Sequence, residues 1–139
     1  MRYLGLDIGD RWVGVALSDP SAKLASPFNI LRRSDDITDI EAIARIIKQH
    51  DVGLVVVGLP RMLDGSLGIQ AQKVEDFTQQ LRDKIDIPLE FRDERLTTVS
   101  ARRLMRETGT KKSRRKRDDA IAAAFILQAF LDEGQSRPI

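Results

Sequence analysis

The 139-residue chain has no cysteine, and with cysteine go disulfides, thiolate zinc sites and a thiol nucleophile. Histidine is almost as scarce. The single one, His50, closes an amphipathic segment between Gln49 and Asp51, which predicts an exposed helix-end residue rather than a catalytic one. Any metal site must therefore be built from oxygen ligands, and oxygen ligands favour a hard cation, Mg2+ or Mn2+. Aromatic residues make up only 5% of the chain, so a stacking platform for single strands is not indicated. No apolar run is long enough to span a bilayer. Met1-Arg2-Tyr3-Leu4-Gly5 leads directly into a short apolar run, without the basic region, long apolar stretch and cleavage site of a secretory signal. Together these absences predict a cytoplasmic protein with no membrane partner.

What is present fits one domain over 1–139, since 42% hydrophobic content in this length suffices for one core. Net charge is only +2, from 23 basic and 21 acidic residues, so bulk charge does not point to nucleic acid. Its distribution does. Lys111, Lys112, Arg114, Arg115, Lys116 and Arg117 place six cations in seven positions, and without them the chain is net acidic.

Two short β-like runs, Tyr3 to Ile8 and Trp12 to Leu17, flank Gly9-Asp10-Arg11 and predict a hairpin. A third strand is expected over Leu24 to Arg32, where Pro27 suits an edge or a bulge. From Thr38 the period changes to that of a helix (Ile40, Ile43, Ala44, Ile47), with Thr38 and Glu41 in the form of a capping box. Gly53 to Gly58 is continuously apolar and β-branched, as for a central strand covered on both faces. Ala71, Val74, Phe77, Leu81 and Ile85 mark a second helix, and Pro88 to Phe91 a fifth strand. A third helix is expected over Leu96 to Met105. The last should run from about Asp118 to Leu131 and stop at Gly134. Between these two, a flexible basic loop is expected at about 108–117. The order β-β-β-α-β-α-β-α-α describes an α/β fold, in which a five-stranded mixed sheet opens with three antiparallel strands and carries helices on both faces.

Three acids stand at element ends beside apolar surface. Asp7 interrupts the first strand, where a buried carboxylate costs several kcal/mol unless something compensates it. Asp93 and Glu94 end the fifth strand, and alternation allows at most one of them onto the face of Asp7. Asp119 heads the apolar stripe Ala122, Ala123, Ile126 and Phe130, although an acid at a helix N-terminus is also favoured by the helix dipole. Such acids could converge on one edge of the sheet. Two divalent ions about 3.5–4 Å apart can activate a water on one side of a phosphodiester and stabilise the leaving oxygen on the other, and no histidine is needed. Cations just ahead of Asp118 oppose the helix dipole, so contact with phosphates is the expected reason for the basic stretch.

Leu6-Asp7-Ile8-Gly9, Val13-Gly14-Val15-Ala16 with Ser18-Asp19, Val57-Gly58-Leu59-Pro60 with Asp64-Gly65-Ser66, Asp93-Glu94-Arg95-Leu96-Thr97-Thr98, and Asp119 before Ala122-Ala123 and Ile126-Leu127 together resemble the YqgF (RuvX-type) family. These are bacterial ribonuclease H-like proteins, described as pre-rRNA nucleases and as Holliday-junction-resolvase-like. The resemblance covers nearly the whole chain. It implies a ribonuclease H-like fold, catalytic and metal-binding roles for Asp7, Glu94 and Asp119, hydrolysis supported by Mg2+ or Mn2+, and a cytoplasmic place in ribosome biogenesis, trimming the 5' end of pre-16S rRNA. Met62 stands where many relatives have Asn, so a substrate contact there is not carried over.

Three other readings compete. A Holliday junction resolvase acting on branched DNA would favour a symmetric homodimer, since two strands are cut in concert. A non-catalytic RNA-binding or transcription-associated factor would keep the acids for folding. A nucleotide-binding protein of the actin and sugar-kinase type also opens with Asp-x-Gly in a hairpin, but needs two such domains around a cleft.

Overall fold

The structure, a computed structural model, describes residues 1–60, 68–93 and 112–136, with side chains in the last segment described for 120–133. Its strands are β1 (Arg2–Ile8), β2 (Trp12–Ser18), β3 (Ala25–Arg32), β4 (Val52–Leu59) and β5 (Leu89–Asp93). Its helices are α1 (Asp36–Gln49), α2 (Ile69–Lys84) and α3 (Lys112–Ser136). The strands form one sheet in the order β3-β2-β1-β4-β5. β1 pairs antiparallel with β2 and β2 with β3, whereas β1 pairs parallel with β4 and β4 with β5. This is the mixed α/β sheet that the order of periodicities predicts. The helix expected over Leu96 to Met105 lies outside the described residues.

Local chemistry accounts for the turns. Gly9 N donates to Trp12 O (2.9 Å) and closes the first hairpin. The next turn is organised by Asp19, whose Oδ1 accepts from Lys23 N (2.8 Å) and Leu24 N (2.9 Å), while Ser21 Oγ donates to Oδ2. Those donors, led by the Leu24 N–H, hold the Asp19 carboxyl well below the usual carboxylate range. The Ser18-Asp19 pair therefore does structural work, with Ser18 Oγ also accepting from Tyr3 N (2.9 Å). β3 is an edge strand, and its register with β2 skips from Val15↔Asn29 to Ala16↔Pro27. Phe28 is the extra residue of a bulge, which accommodates the proline as expected.

Two helix ends differ from expectation. α1 starts at Asp36 and is capped by Asp35, whose Oδ1 accepts from Thr38 N (2.8 Å); Thr38 thus sits inside the first turn, and the expected box with Glu41 is not the cap. The α3 helix begins at Lys112, within the stretch expected as a loop, and passes through Gly134. Lys and Arg are good helix formers, and opposing the dipole costs only about 0.3–1 kcal/mol each, too little to unwind a helix anchored by the stripe that follows. Positions 108–111 of the expected loop lie outside the described residues.

The sheet separates two cores. On one face Leu4, Leu6, Ile8, Val13, Val15, Val55 and Val57 meet Ile40, Ile43, Val74, Phe77 and Leu81 of α1 and α2. On the other, Ala16 and Val56 meet Ala122, Ala123, Ile126, Leu127 and Leu131 of α3.

Candidate active site

Asp7 is 2% exposed and lies near the C-terminal end of β1, on the α3 face, because Leu6 and Ile8 on either side of it point into the α1–α2 core. Its neighbours across the sheet are small. Asp7 pairs with Gly14 on β2, and one step beyond the last β1–β4 pair, Leu6↔Val57, the strand alongside carries Gly58. Gly58 in turn pairs with Arg92 on β5, and Gly14 with Ile30 on β3. A carboxylate between two glycines has no side chain beside it on either adjoining strand.

Helix α3 approaches this face closely. A Cβ on Gly5 would lie 2.8 Å from Ala123 O and 2.8 Å from the Leu127 Cβ, so the helix backbone rests on the strand where only glycine fits. Tyr3 and Phe130 meet with ring centroids 6.0 Å apart, two residues before Gly5 on the strand and three after Leu127 on the helix. The helix therefore runs opposite to β1, and its N-terminal turns lead towards Asp7. Asp119 is one turn, about 6 Å, before Ala123, and Asp7 is about 7 Å beyond Gly5 along the strand. At 100° per residue, Asp119 is about 40° from Ala123 around the helix and Asp118 about 140°. The backbone positions of Asp7 and Asp119 thus approach one another.

The fifth-strand pair divides as alternation requires. Asp93 pairs with Leu59, whose side chain joins the α1–α2 core, so Asp93 is on the face away from Asp7. Glu94 and Lys111 lie outside the described residues, as does Met62. Lys112, Arg114, Arg115, Lys116 and Arg117 occupy the first turns of α3, at the end of the helix that leads to Asp7. His50 is the C-cap of α1, half-buried with its ring edge against Phe28 (4.8 Å), at the opposite end of the sheet. Among the described residues no three His, Asp or Glu side chains gather as a metal cluster.

One network beside the site was not anticipated from sequence. Arg33 donates through NH1 to Gly9 O (2.8 Å), through Nε to Asp39 Oδ2 (2.9 Å) and through NH2 to Asp36 Oδ1 (3.0 Å), with its guanidinium 4.8 Å from the Phe77 ring centroid. Asp39, 3% exposed, also accepts from Ser34 N and Oγ. Arg33 thereby ties the turn after Asp7 to the start of α1. The available signal was Asp39 itself, an acid four residues before Ile43 in an apolar stripe, which has to find a buried cation.

Two solved structures share this architecture over almost their whole length. Thermus thermophilus RuvC, in complex with a Holliday junction substrate, has a TM-score of 0.59 at 13% identity and covers 98% of this chain and 97% of its own. Fowlpox virus resolvase with substrate Holliday junction DNA has a TM-score of 0.59 at 14% identity, covering 99% and 100%. The fold is therefore ribonuclease H-like. Within that class, the profile of RuvX, described as Holliday junction resolvase, matches residues 1–133, and the chain belongs to this family. A protein of Dehalococcoides mccartyi is 50% identical over 126 residues, 91% of this chain and 94% of that protein. One from Caldanaerobacter subterraneus is 47% identical over 135 residues, 95% and 96% respectively. Each is named "Putative pre-16S rRNA nuclease". No helix among the described residues is long and apolar enough to cross a membrane.

Proposed function

We propose that this chain is a metal-dependent nuclease that hydrolyses phosphodiester bonds in structured nucleic acid, with the precursor of small-subunit ribosomal RNA as its substrate. The observation that carries the proposal is Asp7, a buried carboxylate between two glycines, towards which the N-terminal turns of α3 lead. The names of the close relatives support the choice of RNA.

Asp7, Glu94 and Asp119 would hold the cation. Their chemistry fits one: all donors are hard anionic oxygens, the ligands that Mg2+ and Mn2+ take. When bound, Mg2+ or Mn2+ supplies neutralisation of charge on the scissile phosphate and a water of lowered pKa. The remaining work belongs to the chain. Alternation carried one residue past Asp93 returns to the Asp7 face, so Glu94 is assigned to the site and Asp93 is not. Helical spacing assigns Asp119 rather than Asp118. Gly14 and Gly58 leave room for the phosphodiester, and Arg33, bound to Gly9 O, fixes the turn that follows Asp7. The cations of Lys111 to Arg117 draw phosphates towards this end of the sheet.

The test is cleavage by the purified protein of precursor rRNA and of a synthetic four-way DNA junction, side by side, in Mn2+. Shortening of the rRNA at its 5' side is expected. Paired nicks in the junction with intact rRNA would replace this reading by the resolvase reading, which the family's description favours. Cleavage of neither would leave a binding protein.

A further inference from the structure

Outside the first turns of α3, five cations with described side chains lie near the end of the sheet that bears Asp7, and they fall into two groups. Arg33 is neutralised by Asp36 and Asp39, Lys73 by Asp10 (3.5 Å), and Arg92 by Glu133. Arg11 and Arg32 make no ion pair among the described residues, and both are exposed. Between them stands Trp12, the only tryptophan of the chain.

Register places Trp12 and Arg32 relative to Asp7, and Arg11 precedes Trp12 at the hairpin turn. Trp12 is two residues before Gly14 on β2, so it shares the face of Asp7, and its partner across the strands is Arg32. The Arg32 guanidinium lies 5.9 Å from the centroid of the indole, within cation–π range. Arg11 is fixed by the hydrogen bond from Arg33 N to its carbonyl (2.8 Å). The indole is about 7 Å along the strand direction and about 5 Å across it from Asp7 in backbone terms. The two together give about 8.6 Å, two to three steps of a stacked strand at about 3.4 Å each.

We propose that Arg11, Trp12 and Arg32 form a strand-binding subsite, in which the two arginines contact phosphates about two to three nucleotides from the cleaved bond and the indole lies against a base. Uncompensated guanidinium groups beside an aromatic ring that strand register aligns with the carboxylate match the alternation of anion and flat π-face in a polynucleotide. A single ring between two cations serves one nucleotide and does not make an extended platform. The subsite rests on the nuclease reading for its orientation and adds to it a contact outside the basic start of α3.

A sole tryptophan makes the test direct. The full-length protein is titrated in chelator, so that nothing is cut, with labelled single-stranded RNA and with DNA of the same sequence. Label anisotropy and tryptophan emission are followed together. Emission should be quenched with the same midpoint as the anisotropy. Trp12→Ala should weaken binding roughly tenfold and Trp12→Phe much less, as expected for a stacked base. Arg32→Gln should reduce the slope of log affinity against log salt by about 0.7–0.9, without altering the unfolding temperature. Binding by anisotropy with unmoved emission, and wild-type affinity in Trp12→Ala, overturns the subsite while leaving the nuclease reading in place. An absence of binding to either strand also overturns the subsite, while the nuclease reading, which concerns structured nucleic acid, stands or falls on its own cleavage test. Should Trp12→Ala fail to fold, wild-type emission and Arg32→Gln decide the matter.

Discussion

The face of the sheet covered by α1 and α2 buries Leu, Ile, Val and Phe side chains in depth, whereas the face under α3 buries alanines, sets a helix directly against Gly5, and includes Asp7. Large aliphatic side chains gain most from leaving water, so the first face contributes the greater part of the stability. Small residues gain little and hold backbones close, so the second face fixes where α3 lies to within the dimensions of an atom. Both faces also bury an acid, and the two are treated differently. Asp39 meets Arg33 and Ser34 at the start of α1, whereas Asp7 lies between Gly14 and the strand that carries Gly58, at the end of the sheet towards which α3 leads. The acid that completes the structure and the one assigned to chemistry are told apart by their place in the sheet.

Substitutions should separate the faces in the same way. The largest expected effect is on activity: Asp7→Asn should reduce cleavage by orders of magnitude while leaving the protein folded, because the amide keeps the size and shape of the carboxylate it replaces. A fall in stability large enough to explain the lost activity would place Asp7 with Asp39 as a structural acid. Next comes Arg33→Ala, which leaves Asp39 buried without its cation and should cost about 3 kcal/mol in denaturant unfolding. A loss under 1 kcal/mol would mean that the Ser34 hydrogen bonds suffice.

Gly5→Ala should cost about 1–3 kcal/mol, since its Cβ cannot share space with the Ala123 carbonyl. Cleavage should fall further than the loss of folded protein accounts for, because moving α3 moves Asp119. Equal losses would detach the helix from the site. The smallest effect concerns Asp19, half-buried in its turn. Its folded pKa is lowered, so its contribution is complete above about pH 4 and fades as pH falls through the depressed folded value. The stability difference between wild type and Asp19→Asn should accordingly shrink with acidification in that window, and a constant difference would contradict the role assigned to the carboxylate.

Much of this was legible in the sequence for identifiable reasons. The order of elements along the chain followed from β-branched runs and glycine turns, and the weak third strand from Pro27, because those signals act within a few residues. The cap of α1 was displaced by three positions, since Asp35 and Thr38 are both good caps and only geometry chooses between them. The start of α3 was set too late by weighing repulsion from the dipole above the helix propensity of Lys and Arg. Alternation reduced the Asp93 and Glu94 pair to one, and the register of β5 with β4 then placed Asp93 on the other face. The pairing of Trp12 with Arg32 and the reach of Arg33 to Gly9 join segments about twenty residues apart and needed the register itself.

The central claim, that Asp7 serves chemistry rather than folding, is tested most directly by single-turnover cleavage of precursor rRNA. Wild type, Asp7→Asn, Asp119→Asn and Asp118→Asn would be compared in Mn2+ and in excess EDTA, with equal folded fractions verified by circular dichroism. Wild type and Asp118→Asn should cut in Mn2+ and stop in EDTA, while Asp7→Asn and Asp119→Asn should be inactive in both. Undiminished cleavage in EDTA, or by Asp7→Asn, would contradict the account.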